Sequence, residues 1–321
     1  MPSENLKLFQ KPTFKKPYLV AGWPGMGNVA LTVVTYLKEK LQATPLGELT
    51  SPEYFAPTNA IVSDQVILPP ARPDNQFYYY SSPESKKDIL FFIGSEQPVP
   101  HREYEFAMEI LRIAKMWGVS LVFTTAAAPS DMNYFDTPRV FAVPNDKDLL
   151  NRLMEYKVHF MGEGHIAGLN GLLISAARAV NLDGICLLGE IPFFTAQLEF
   201  PRAALQILKI LVQLLGVEID LLDLELYAEK RDKEIAPIVN LLSKGSLTTS
   251  EKELSEEVAE EPKKEKEKTI PPSVRAKIER LFQEAETEGS YKAKMRLKEE
   301  LDRWGLFEEY QDRFLDLFRK S

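Results

Sequence analysis

Two glycine-rich turns and one carboxylate at the end of an apolar run are where this sequence could do chemistry. The first turn is Gly22-Trp23-Pro24-Gly25-Met26-Gly27-Asn28, between a short apolar run and a helix-like stretch. Small residues let the backbone turn tightly, and the free N–H groups at a helix start can bind an anion. Its order, G-x-x-G-x-G, is not the G-x-G-x-x-G of dinucleotide sites, and it lacks the Lys-Ser/Thr pair of a phosphate-gripping loop. Pro24 removes one donor, and the nearest downstream cation, Lys38, stands ~15 Å along the helix from Asn28. The turn therefore reads as a strand–turn–helix elbow that shapes the fold.

The second turn is Gly162-Glu163-Gly164-His165-Ile166-Ala167-Gly168-Leu169-Asn170-Gly171. Glu163 and His165 on such a loop have the residue types of an acid–base pair, and the competing reading is a structural loop. His159 is six residues before His165, so no i, i+4 histidine pair is available to a metal. Third, Leu188-Gly189-Glu190-Ile191-Pro192 closes an apolar run with a carboxylate. Ligands of open α/β sheets gather at the carboxyl ends of strands, so Glu190 could face one. Alternatively it caps a sheet end by pairing with Arg178 or Arg202. Cys186, between Ile185 and Leu187, reads as a small buried hydrophobe. No G-x-S-x-G, H-E-x-x-H or C-x-x-C occurs. The expectation is a protein without catalytic residues, metal or cofactor.

The elements that must position these residues alternate in type. Strand-like runs are expected at 18–21, 65–68, 77–80, 88–93, 119–124, 139–143 and 185–188. Helices are expected at 28–41, 102–117, 168–181, 201–215 and 221–242. Short, fully apolar strands between amphipathic helices predict a three-layer α/β core with a mostly parallel central sheet. The helix carrying Leu205, Leu208, Leu211 and Leu215 is apolar nearly all round, which needs burial either at a subunit interface or inside the chain. Of the 18 residues from Glu251 to Lys268, 13 are charged, too polar a stretch to offset its ordering entropy. The predicted division is a core over 1–243, a charged linker over 244–272 and a small all-helical C-terminal segment over 273–321. In that segment Ile278, Leu281, Phe282 and Ala285 keep helical spacing, followed by further stripes through Leu297, Leu301, Leu306, Tyr310 and Phe314.

Composition limits the partners. With 39 basic and 47 acidic residues the net charge is -8, which argues against nucleic acid. The aromatic run 77–80 has no interleaved Arg or Lys for stacking on bases. The single cysteine suits a reducing cytosol, and no apolar run reaches the ~20 residues of a membrane helix. A cytoplasmic protein without membrane contact is expected.

Taken in order, Gly22 to Val29, Gly168-Leu169-Asn170-Gly171-Leu172-Leu173 and Leu187-Leu188-Gly189-Glu190 resemble the PAC2 (proteasome assembly chaperone 2) family. Leu215-Gly216-Val217-Glu218-Ile219-Asp220 sits where that family has a similar segment. The resemblance covers about Lys15 to Lys230. It implies a fold similar to purine nucleoside phosphorylases, a cytosolic homo-oligomer (often a homotrimer) and a chaperone-like role, with proteasome subunits or a related assembly as partners. Some relatives have been described as ATP-grasp-like carboligases, but the acidic metal-binding pairs of such enzymes are absent. Relatives that dock on proteasome α-rings end in hydrophobic-Tyr-any residue, whereas this sequence closes on Phe318-Arg319-Lys320-Ser321. The ligand or interface candidates are Gly22, Trp23, Pro24, Gly25, Gly27, Asn28, Glu163, His165, Gly168, Asn170 and Glu190. Three functions compete: an assembly chaperone, an enzyme on a phosphorylase-like scaffold using Glu190, Glu163 and His165, and a scaffold whose helical tail recruits a partner. The missing catalytic motif favours the first.

Overall fold

Tyr18-Leu19-Val20-Ala21-Gly22 is buried along its whole length, as a strand covered on both faces must be. The computed structural model describes residues 5–11, 13–56, 60–70, 72–81, 87–250, 272–288 and 291–304, with residues 306, 310, 313, 314 and 317. In chain order the elements of the first unit begin with β1 (Leu6–Leu8), β2 (Tyr18–Gly22), α1 (Val29–Lys40), β3 (Thr44–Leu49) and β4 (Ile61–Ser63). Next come β5 (Val66–Leu68), β6 (Asn75–Tyr80), β7 (Ile89–Gly94), α2 (Glu103–Met116), β8 (Leu121–Ser130) and β9 (Val140–Pro144). The unit closes with α3 (Lys147–Leu153), β10 (His159–Phe160), α4 (Leu169–Ala179), β11 (Asp183–Pro192), α5 (Pro201–Leu215) and α6 (Leu222–Ser250).

Nine strands form one sheet in the order β1-β3-β6-β7-β2-β8-β11-β9-β10. The central run β7-β2-β8-β11 is parallel. Outside it, β1, β3 and β6 continue from β7 antiparallel, and β9 lies antiparallel to β11. The sheet is thus mixed, which corrects the mostly parallel expectation. The connections explain this: only eight residues separate β6 from β7, fewer than the dozen or so that a parallel crossover needs, so the two pair antiparallel. The 65–68 run also has a different place, pairing with β4 in a separate two-stranded hairpin.

Alternate side chains of each central strand face opposite cores. Val20, Phe91, Phe123 and Leu187 pack with α1 and α5 on one face. Leu19, Ala21, Phe92, Val122 and Cys186 pack with α2 and α4 on the other. The apolar helix α5 is buried within the chain between the sheet, α1 and α6, so it is not a free subunit interface. Cys186 is fully buried, and desolvation pushes its thiol up to about 11.

The chain divides into two compact units, 1–252 and 253–321. Helix α6 runs to Ser250, past the boundary expected at 244; most of the expected linker, 251–271, lies outside the described residues. In the second unit, α7 (Pro272–Glu288) and α8 (Tyr291–Trp304) enclose Ile278, Phe282, Leu297 and Leu301, joined by Leu306, Phe314 and Leu317. Phe318–Ser321 lies outside the described residues. Among the described residues no helix is long and apolar enough to cross a membrane.

Candidate functional site

Both glycine-rich turns come together at the carboxyl ends of the parallel strands, where a cleft of about 560 Å³ opens. Pro24, Gly25 and Met26 form one wall; His165 to Gly168 and Asn170 form the other; Ala126 to Pro129 and Leu188 supply the floor. This is the place a doubly wound sheet offers a ligand, because the chain leaves β2 toward α1 on one face and β7 toward α2 on the other.

The cleft is braced by two side-chain amides. Asn170, in the first turn of α4 and buried, accepts from the Trp23 backbone N–H at 3.1 Å and donates to the Trp23 carbonyl at 3.3 Å. It pairs with Trp23 as a neighbouring strand would. Gln97 donates to the Pro24 carbonyl at 2.7 Å and accepts from the Leu169 N–H at 3.1 Å. Together they fasten the turn after β2 to the start of α4. Trp23 is completely buried between Phe92 and the backbone of Gly94. A Cβ at Gly94 would stand 2.2 Å from Trp23 Nε1, so the close approach requires glycine.

Gly27 has φ of 64°, in the left-handed region glycine tolerates, and its N–H and carbonyl bond Ala196 and Phe200 at 2.9 Å each. Asn28 follows with φ of 52° as the residue before α1. Gly25 is extended, and a Cβ there would meet only Asn170 Nδ2 at 3.7 Å. Gly22 ends β2. Gly168 precedes α4 with φ of 77°.

The carboxylate candidates separate. Glu190 is buried but does not line the cleft. Its partner is Arg139, with Nη2 at 2.5 Å and Nε at 2.9 Å, and the Ser130 hydroxyl donates at 2.8 Å. The expected partners are engaged elsewhere: Arg178 faces Asp146, and Arg202 holds Asp232 and the Tyr134 carbonyl. Hydrogen bonds from Arg139, then from Ser130, outweigh desolvation and hold the Glu190 carboxyl at about 2. It therefore stays a charged anchor across neutral pH and is no proton donor. Glu163 is exposed and outside the cleft lining, whereas His165 lies on its wall, so Glu190, Glu163 and His165 do not meet around one ligand. Among the described residues no group of three His, Cys, Asp or Glu is placed to hold a metal.

Sequence reasoning did not find Gln97, Gly94, Ser130 or Arg139. Each lies in a stretch without a motif and acquires its role only when distant segments meet.

The sequence model of the PAC2 family matches residues 19–239. An uncharacterized protein of Methanocaldococcus jannaschii is 26% identical over 193 residues, which is 60% of this chain and 70% of that protein. Among solved structures, Pyrococcus furiosus PbaB, described as an archaeal proteasome activator, is 24% identical, with a TM-score of 0.64 over 73% of this chain and 97% of its own. Mycobacterium tuberculosis Rv2125, described as a proteasome-assembly chaperone homologue, is 21% identical, with a TM-score of 0.59 over 68% and 94%. At these identities the structural likeness is one of fold.

Proposed function

The chain belongs to the PAC2 family, and from that premise we propose that it is a cytosolic chaperone-type protein that binds proteasome subunits and works as a homo-oligomer. The proposal includes a phosphorylase-like classification of the core, supported by the four parallel strands β7-β2-β8-β11 with helices on both faces. One observation carries the functional reading. The three groups that could have formed a catalytic constellation are kept apart: Glu190 is committed to Arg139 and Ser130, Glu163 lies outside the cleft, and His165 alone of the three lines it. What the first unit leaves open is apolar surface. Phe193 and Phe194, just past β11, are 65% and 45% exposed, and Leu198 follows at 40%. Exposed apolar groups of this size mark interaction surfaces.

The test is an assembly assay with the proteasome α- and β-subunits of the same organism. Faster formation of the assembled particle, and co-elution of this protein with an intermediate, is the expected result. Unchanged assembly kinetics with no co-elution would refute the reading.

A further inference from the structure

The cleft at the carboxyl ends of the strands has an apolar lining and one charge. Ala126 to Pro129, Leu188, Met26, Met161 and Ile166 supply most of its surface. Its volume, about 560 Å³, falls within the roughly 300–1,000 Å³ of small-molecule sites. Two methionines in the lining let it adapt to the outline of an occupant. Among the described residues that line it there is no Lys or Arg and a single carboxylate, Glu103.

Glu103 begins α2 and is half-buried. Among the described residues its side chain has no hydrogen-bond or ion-pair partner. Arg102, its neighbour in the chain, is held instead by Glu105 at 2.6 Å and by the Glu53 carbonyl at 3.1 Å. An acid in the first turn suits any helix start, but Glu105 already supplies one there, so that role does not call for a bare carboxylate on a cleft wall. The other polar groups are engaged or neutral. Gln97 and Asn170 commit both ends of their amides to the brace. His165, in its neutral form, offers an acceptor nitrogen. At the helix starts, the N–H groups of Gly27, Asn28 and Val29 bond the Ala196, Gly25 and Met26 carbonyls, and that of Leu169 bonds Gln97. Those donors are therefore closed to an anion.

Any molecule that fills the cleft strips water from Glu103. A neutral apolar occupant would leave a desolvated carboxylate without a partner, and an anion would add repulsion. A cation satisfies the carboxylate as it enters, and an apolar body gains from the rest of the lining. We propose that the cleft binds a small organic cation, an alkyl- or arylalkylammonium whose head pairs with Glu103 and whose body covers the apolar lining. The inference goes beyond the chaperone reading and does not depend on it, since that reading concerns the outer surface.

The experiment is a magnetic-resonance titration of the full-length protein, isotope-labelled at its methionine methyls. Three probes of one shape are compared: phenylpropylamine, phenylpropanol and phenylpropanoate. The chain has eight methionines, of which Met26 and Met161 line the cleft and report binding there. The amine should shift those two resonances and bind about tenfold or more tightly than the alcohol, with the carboxylate weakest. Glu103→Gln should weaken the amine by about tenfold and leave the alcohol and the melting temperature unchanged. No response to the amine at millimolar concentration, shifts confined to other methionines, equal affinity for the three probes, or a preference for the amine that survives Glu103→Gln would each overturn the proposal. Were the variant unfolded, the ranking of the probes on wild type at Met26 and Met161 would decide.

Discussion

At the cleft, Asn170 commits both ends of its amide to Trp23, and Gln97 does the same with Pro24 and Leu169. At the hairpin, Val62 and Ile67 stand 69% and 73% exposed and pack on no core cluster. The two regions differ in what holds them. The cleft is the junction of two distant segments, and the two amides that brace it find both their partners inside one chain. The hairpin leaves its apolar groups in water, where they contribute nothing to that chain's stability. Motif residues at the cleft therefore serve the fold, and the residues free to serve association lie where no motif marks them. Substitutions that lower stability in one region and leave it unchanged in the other would sharpen this contrast.

The largest effect is expected at Gly94→Ala. The new methyl would stand 2.2 Å from Trp23 Nε1 and 2.3 Å from Cδ1, against a ring with no exposed edge to yield. A cost of about 3 kcal/mol and a melting temperature lower by ~10 °C are expected. An unchanged melting temperature would show that Trp23 is not the fixed post the cleft is built on.

Glu190→Gln comes next, at about 2 kcal/mol near neutral pH, because it removes the charge of a buried carboxylate from its pair with the half-exposed Arg139. Its pH dependence has a definite sign. The folded carboxyl titrates at about 2, below its ordinary 4.5, so the pair stabilises the fold fully above about pH 5. That contribution declines as pH falls and is gone below about 2. Denaturant midpoints of wild type and variant should therefore converge between pH 5 and 2; a constant gap would mean that the charge is not what matters.

Asn170→Ala leaves the backbone N–H and carbonyl of Trp23 without their partner and should cost about 2 kcal/mol. Thermal melts would check this, and a neutral result would remove Asn170 from the bracing. The smallest effect belongs to Ile67→Ser, within about 0.5 kcal/mol for the monomeric chain, measured by chemical denaturation at nanomolar concentration. A loss matching that of Asn170→Ala would show the hairpin to be packed into the fold, and the contrast between the regions would fail.

Much of the layered core was legible because its period is local. The buried runs at 18–21 and 185–188 and the helix at 201–215 each state their own burial. Strand direction was less so: β9 is as apolar as its neighbours, and only its short connection from β8 turns it antiparallel to β11. The short strands β1, β3 and β4 and the helix α3 carry too few periodic residues to stand out. At the site, the two glycine turns could be read from composition, but their meeting could not. It depends on Gln97, one polar residue in a loop, and on Asn170 reaching Trp23, 147 residues away; the salt bridge joining Glu190 to Arg139, 51 residues away, was no more legible. Arg178 and Arg202 are nearer in sequence and engaged elsewhere.

The central claim is that this protein acts by binding protein surfaces while its motif residues hold the fold. Native mass spectrometry of the protein mixed with the proteasome α-subunits of its own organism tests it most directly. The predicted spectrum contains a mixed complex, formed equally by wild type and by Glu190→Gln at a temperature below the variant's melt. No mixed complex with wild type, or its loss in a folded Glu190→Gln, would contradict the account.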